Sequence, residues 1–222
     1  MKKIVITGAL GYIGTELCKL YSGFSWKYNV IALDNRFISE RVNELKRRKI
    51  KFIQADILHL ETVQHHIKEA DYVHHLAGIT DVAYVKKDSD KLKDALIEKV
   101  AIEGTQNILS SMNKNATIIF PSTHVVFEGL KERKENIDES EKTSTFLAYS
   151  SSKVENEKQI INSGKNYKIL RLGSVYGFST DTMRINIMPN LFSKIASQDG
   201  VIKLFGGGKQ LKSLVPLIDV AR

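Results

Sequence analysis

The sequence predicts an α/β chain built on a doubly wound parallel sheet, and three observations carry that prediction. Six short β-branched runs recur through the first 170 residues, five longer amphipathic stretches separate them, and a glycine-punctuated turn follows the first run. Parallel neighbours must be joined by a crossover, and each intervening stretch is long enough to make a right-handed one.

Taken in order, the strands are expected at 3–7, 29–33, 51–55, 72–76, 116–120 and 167–171, and the helices at 12–21, 39–48, 59–69, 90–112 and 147–163. Ile4, Val5 and Ile6 make the first strand, and Val30 to Leu33 make the second, closed by Asp34. The basic run Lys46-Arg47-Arg48-Lys49 ends the second helix, where cations suit the negative end of the macrodipole. In the fourth helix Leu92, Leu96, Val100, Gly104 and Ile108 recur at intervals of four, which predicts one buried ridge. Residues 128–146 are polar and charged with a single glycine, and read as an exposed loop between strand five and the next helix. After Arg171 the rhythm loosens: Met188-Pro189, Gly200 and Gly206-Gly207-Gly208 punctuate short apolar runs. The chain therefore divides into 1–172, a nucleotide-binding domain, and 173–222, part of a substrate-binding lobe.

Composition narrows the function. One cysteine excludes a disulfide-stapled secreted scaffold, the apolar run after Met1-Lys2-Lys3 is too short for a signal peptide, and no stretch approaches the roughly 20 apolar residues of a membrane span. A cytoplasmic protein is expected. With 33 Lys+Arg against 25 Asp+Glu, the formal charge of +8 suits an anionic partner such as a phosphate-bearing cofactor or a nucleotide-linked substrate. Nucleic acid is disfavoured because the densest basic run has no interleaved aromatics for base stacking. No metal is expected: His65-His66 and His74-His75 are adjacent pairs that point apart, and Cys18 alone makes no thiolate set.

Gly8, Gly11 and Gly14 follow the first strand and open the first helix, so they allow a tight turn and backbone approach to a pyrophosphate at the helix N-terminus. Asp34 ends the second strand 20 residues after Gly14, where a carboxylate can accept from both adenosine-ribose hydroxyls and repel a 2′-phosphate. NAD is favoured over NADP, with Arg36 softening the preference. Tyr149 and Lys153 share one face of the last helix, and a tyrosine serving as a base near neutral pH needs such a neighbouring cation. Thr123, just past the fifth strand, would sit at the carboxyl edge of the sheet beside the substrate oxygen that Tyr149 deprotonates.

These features lie among ordered motifs: TGALGYIG (7–14), Asp56-Ile57, HHLAG (74–78), EGTQNIL (103–109), FPSTHVVFEG (120–129), YSSSK (149–153) with Glu157, LRLGSVYG (170–177), GGGKQ (206–210) and DVAR (219–222). Together they resemble an extended short-chain dehydrogenase/reductase of the NAD-dependent epimerase/dehydratase group, which acts on nucleotide sugars. The resemblance implies a Rossmann-like fold with a small, incomplete C-terminal substrate lobe, since relatives continue past DVAR. It implies cofactor contacts from Gly8, Gly11, Tyr12, Ile13, Gly14, Asp34, Asn35, Asp56, Ile57, Leu76, Ala77 and Gly78, together with Tyr149 and Lys153. It makes Thr123, Tyr149 and Lys153 catalytic, with Lys153 holding the nicotinamide ribose and depressing the tyrosine pKa. Substrate contacts fall to Thr123, His124 and Ser174. A homodimer packed through helices 90–112 and 147–163 is also implied.

Departures bear on the reaction. Dehydratases of the group carry an acidic pair after the catalytic threonine, where this chain has His124-Val125, so epimerisation is favoured over dehydration. Ala101 and Ser174 replace frequent asparagines, and Lys212-Ser213 stands where many relatives have Arg-Asp. STHVVFEG also resembles a segment of the NADPH-linked 4-keto-sugar reductases, which leaves a reductase as the alternative. A cofactor sensor or nucleic-acid-associated protein without catalysis is the alternative of another class.

Overall fold

The computed structural model describes residues 1–80, 90–132 and 134–222, without the side chains of residues 205 and 206. A six-stranded parallel sheet lies at the centre: β1 (Lys2–Thr7), β2 (Tyr28–Asp34), β3 (Lys51–Gln54), β4 (Tyr72–His75), β5 (Thr117–Thr123) and β6 (Asn166–Leu172). Its order, β3-β2-β1-β4-β5-β6, reverses direction between β1 and β4, and such a switch point opens a crevice at the carboxyl ends of the strands. The doubly wound, Rossmann-like fold class expected from the pattern is the one observed.

Period-two alternation explains why both faces are covered. Ile4 and Ile6 of β1 and Val30 and Ala32 of β2 pack with Leu17 and Cys18 of α1 (Tyr12–Ser22) and Val42 and Leu45 of α2 (Ser39–Arg47). Val5, Ile31, Leu33 and Ile118 face the other way, onto α3 (Leu60–Ile67), α4 (Lys91–Ser111) and α5 (Ala148–Asn162). Burial pushes the Cys18 thiol up to about 12, which suits a packing role. His74 and His75 follow the same alternation. His74 bonds Tyr21 of α1 at 2.8 Å, while His75 points to the α4–α5 side.

Two expectations are corrected. Strand five was expected at 116–120, yet β5 runs on to Thr123 through Pro121, which has no N–H to donate. Past Ile119 it pairs with β6 alone, so the missing donor faces no partner strand. The ridge on α4 is only half buried: Ile108 is fully enclosed, but Leu92 and Leu96 are 84% and 50% exposed, and Ile97 is the buried side chain of that half. Asp90 caps α4 by accepting from Leu92 N at 2.9 Å.

Beyond Leu172 the chain forms a second, two-stranded parallel sheet from β7 (Ser174–Tyr176) and β8 (Leu214–Pro216), with α6 (Met188–Ala196) between them. The final helix α7 (Leu217–Ala221) returns to α1, and Ala221 joins the core on that face. No described helix is long and apolar enough to cross a membrane.

Candidate cofactor and catalytic site

The turn after β1 has no room for a side chain at Gly8 or Gly14. Gly8 has φ +67°, and a Cβ there would lie 2.8 Å from Ala77 N; one at Gly14 would lie 2.4 Å from Gly8 O. Gly11 occupies the N-cap of α1 and offers no side chain to its amides, which are left for an anion. Asp34 closes β2 beside this turn, 5% exposed. Its Oδ2 accepts from Leu10 N at 3.0 Å, and its Oδ1 accepts from Arg36 N and Nε at 3.1 and 3.2 Å. A carboxylate has about four acceptor sites, so Oδ2 keeps one for a ribose hydroxyl. Leu76, Ala77 and Gly78 follow β4, where Ala77 N donates to Thr7 Oγ1 at 3.1 Å and a Cβ on Gly78 would meet nothing within 4 Å. A backbone-lined cradle beside a buried acid fits a dinucleotide.

The other residues expected near the cofactor have partners within the chain. Ile57 is buried against Gly104, where an added Cβ would stand 2.3 Å from Ile57 Cδ1, so its side chain serves the core. Asp56 accepts from Leu58 N at 2.9 Å and from Asn35 Nδ2 at 3.3 Å, which ties the ends of β2 and β3 together. Ile13 packs on the α1 face, and the Tyr12 hydroxyl donates to Gly177 O, away from the turn.

At the other end of the crevice, Thr123 is the last residue of β5, and Tyr149 stands in the first turn of α5 with Lys153 one turn on. Lys153 Nζ donates to Pro121 O at 2.9 Å, lies 4.3 Å over the Phe120 ring and 5.9 Å from the Tyr149 ring centroid. Burial pulls its ammonium down to about 8, against the opposing pull of Glu157. Glu157 is in turn held by Ser122 and by Arg171 Nη2 at 2.7 Å. Burial raises the Tyr149 phenol, and the cation that opposes this is Arg184. The sequence pointed only to Lys153 for that role. His124 Nδ1 bonds Leu172 O at 3.1 Å; a carbonyl only accepts, so Nδ1 carries the proton. Ser174 lines a cavity of about 130 Å³ with Asn186, Lys212 and Leu214. A larger hollow of about 550 Å³, with Trp26 and Asp71, lies at the opposite edge of the sheet.

The sequence missed a strap across the glycine turn. Arg41 of α2 donates to Leu10 O at 2.7 Å, to Asp181 Oδ2 at 2.6 Å and to Asp181 O at 2.9 Å. Thr15 meets Thr182 at 3.2 Å, buried Asn190 bonds the Arg184 carbonyl at 2.9 Å, and Arg184 Nη2 reaches Thr80 O at 3.1 Å. The Arg41–Asp181 partners are 140 positions apart, and no local motif marks them.

Comparison with known proteins agrees with this architecture. Among curated proteins, a putative UDP-glucose 4-epimerase of Methanocaldococcus jannaschii is 28% identical over 99% of the chain and 71% of that protein. Short-chain dehydrogenase/reductase family 42E member 1 of Macaca fascicularis is 35% identical over 62% of the chain, and the match spans 33% of that relative's length. Among solved structures, the UDP-glucuronic acid 4-epimerase of Bacillus cereus, in complex with UDP-glucuronic acid and NAD, superimposes with a TM-score of 0.80 at 26% identity, over 99% of this chain and 70% of that one. The UDP-glucose 4-epimerase of Thermotoga maritima, with UDP-glucose, gives 0.81 at 24% identity over 99% and 71%, a likeness of fold. The pattern of the NAD dependent epimerase/dehydratase family matches residues 4–222. The chain belongs to that family.

Proposed function

We propose that the chain carries the cofactor site and catalytic residues of an NAD-dependent nucleotide-sugar epimerase that inverts a hydroxyl carbon, carbon 4 of the sugar. The observation that carries this reading is convergence at one edge of the sheet: the glycine turn ends β1, Thr123 ends β5, and Lys153 reaches Pro121 O while presenting Tyr149 on the same helix. Gly8, Gly11, Gly14 and Asp34 would hold the dinucleotide, with Leu76 to Gly78 along its flank. NAD, when bound, supplies a hydride acceptor that can return the hydride to the opposite face.

The protein's part is to hold and move a proton. Burial keeps the Tyr149 phenol protonated at rest, and the Arg184 cation opposes that burial. Lys153, 5.9 Å from the Tyr149 ring centroid, would add its charge in favour of the phenolate that accepts the sugar proton. Thr123 would orient that hydroxyl. His124, in the position of a dehydratase acid, and Ser174, beside Lys212, would contact the sugar nucleotide. Residues 173–222 would form part of the substrate lobe. The strap anchored by Arg41 suits an enzyme that keeps its cofactor through turnover. Exposed Leu92, Leu96 and Ile161 on α4 and α5 support a homodimer through those helices, which light scattering would test.

One observation favours a second reading, a keto-sugar nucleotide reductase. The Arg36 guanidinium lies against Asp34 with its side chain 55% exposed, where it could pair with a 2′-phosphate. Purified protein with NAD should be incubated with UDP-, dTDP-, GDP- and CDP-hexoses and followed for a C4 epimer. An epimer formed without net cofactor consumption, and lost about 10²–10⁴-fold in Tyr149→Phe, supports the epimerase. Stoichiometric cofactor consumption with a keto-sugar favours the reductase. NAD binding with no turnover of either kind overturns both.

A further inference from the structure

Tyr149 stands in the first turn of α5, where amides lack intrahelical acceptors and fraying begins. The N-cap of α5 is Leu147, which has no side-chain oxygen. An acceptor comes from elsewhere in the chain. Glu128 Oε1 accepts from Leu147 N at 3.0 Å, from Phe146 N at 3.3 Å and from the Ser150 hydroxyl. In a capping box the acid three residues into the helix accepts from the N-cap amide. Ser150 occupies that position and its short hydroxyl bonds Leu147 O at 2.9 Å, while Glu128 takes the amide from outside the helix.

Glu128 belongs to the segment that leaves Thr123. A 3₁₀ turn spans His124–Phe127, with Val125 N donating to Thr123 Oγ1 at 3.3 Å, and Glu128 follows it directly. Backbone bonds stitch this segment to the approach of α5: Ser144 N to Val126 O at 2.8 Å and Gly129 N to Ser144 O at 2.9 Å. A Cβ on Gly129 would lie 2.6 Å from Ser144 Oγ, so the two stretches meet at contact distance.

We propose that Glu128 is a positioning residue of the active centre: its carboxylate joins the segment leaving Thr123 to the first turn of α5 and so sets the Tyr149 phenol against Thr123. Its catalytic meaning rests on Tyr149 being the base; the clamp itself does not. Glu128→Gln keeps one acceptor oxygen and Glu128→Ala keeps none.

Amide hydrogen exchange on the full chain tests the clamp. In Glu128→Ala, residues 146–152 should exchange about tenfold faster while 155–162 and β1 are unchanged, with Glu128→Gln in between. Ser150→Ala, which removes one donor, should give a smaller local rise and serves if Glu128→Ala fails to fold. Affinity for NADH, read by its fluorescence, should stay the same. With an epimerised sugar in hand, Glu128→Ala should lower kcat about tenfold at constant KM, and Glu128→Gln should restore most of it. Unchanged exchange at 146–152 overturns the clamp, and faster exchange with an unchanged kcat overturns the positioning role. If Tyr149→Phe proves fully active while exchange in Glu128→Ala rises, the clamp stands and the reading of Tyr149 as the base falls.

Discussion

Residues 1–172 and 173–222 are held by different forces. The first stretch buries apolar side chains on both faces of a sheet, with Val5, Ile6 and Ile118 at 0% exposure. In the second, among described residues, Leu217 and Ala221 are the buried apolar side chains, while Phe178, Val201 and Leu211 are 80%, 82% and 76% exposed. Its order comes instead from polar bonds onto the glycine turn and α1, through Arg41, Tyr12 and Thr15. The lesson is that the sheet supplies its own stability, whereas the strap takes its position from the turn it covers. Strap and turn should therefore respond together to a dinucleotide, with the sheet left unmoved.

The sharpest test of this contrast lies in the sheet. Ile118→Ala should cost about 2–5 kcal/mol in denaturant unfolding, through lost burial and the cavity left behind. A cost below about 1 kcal/mol would break the comparison.

Acid should act on the same body. Burial lowers His75 to about 3, and its ring is held neutral between Thr7 Oγ1 at 3.0 Å and Thr105 Oγ1 at 2.9 Å. An unfolded histidine takes up a proton near its ordinary 6.5 that the folded one refuses, so stability is full above that pH and falls toward 3. His75 should account for about 3 kcal/mol of the loss between pH 7 and 4, to which buried His74, lowered to about 4, adds its own part, and His75→Gln should make the slope shallower. An unaltered slope in that variant would assign acid sensitivity elsewhere.

The strap should respond more weakly. Arg41→Met should speed amide exchange at 177–187 about fivefold, roughly 1 kcal/mol for a pair whose Asp181 partner is 45% exposed and partly screened, and leave β1 untouched. NADH should also dissociate faster from this variant, whereas equal protection of the strap in both proteins would remove Arg41 from its hold. Leu211→Ser should be the smallest change, within about 0.5 kcal/mol in the same unfolding measurement. A cost like that of Ile118→Ala would mean that the tail has a core of its own.

Much of the molecule was legible because its determinants are local. Strand and helix positions followed from periods of two and near four, and each expected element lies within one or two residues of its observed place, apart from the extension of β5. The glycine turn, Asp34, Thr123, Tyr149 and Lys153 could be read because each stands at a strand end or on one helix face. The exposed half of α4 could not, since spacing shows which residues share a face and not whether anything packs on it.

By itself the sequence determined the parallel sheet, the nucleotide turn and the pair of residues on α5, because backbone sterics and side-chain period act over a few neighbouring residues. Tertiary structure alone decided which distant groups meet around these elements. Glu128 meets the start of α5 from 19 residues away, Arg184 reaches Thr80 across 104, and Arg41 reaches Asp181 across 140. No local rule links such positions, because their bonds depend on how the hydrophobic layers place segments that are far apart in the chain.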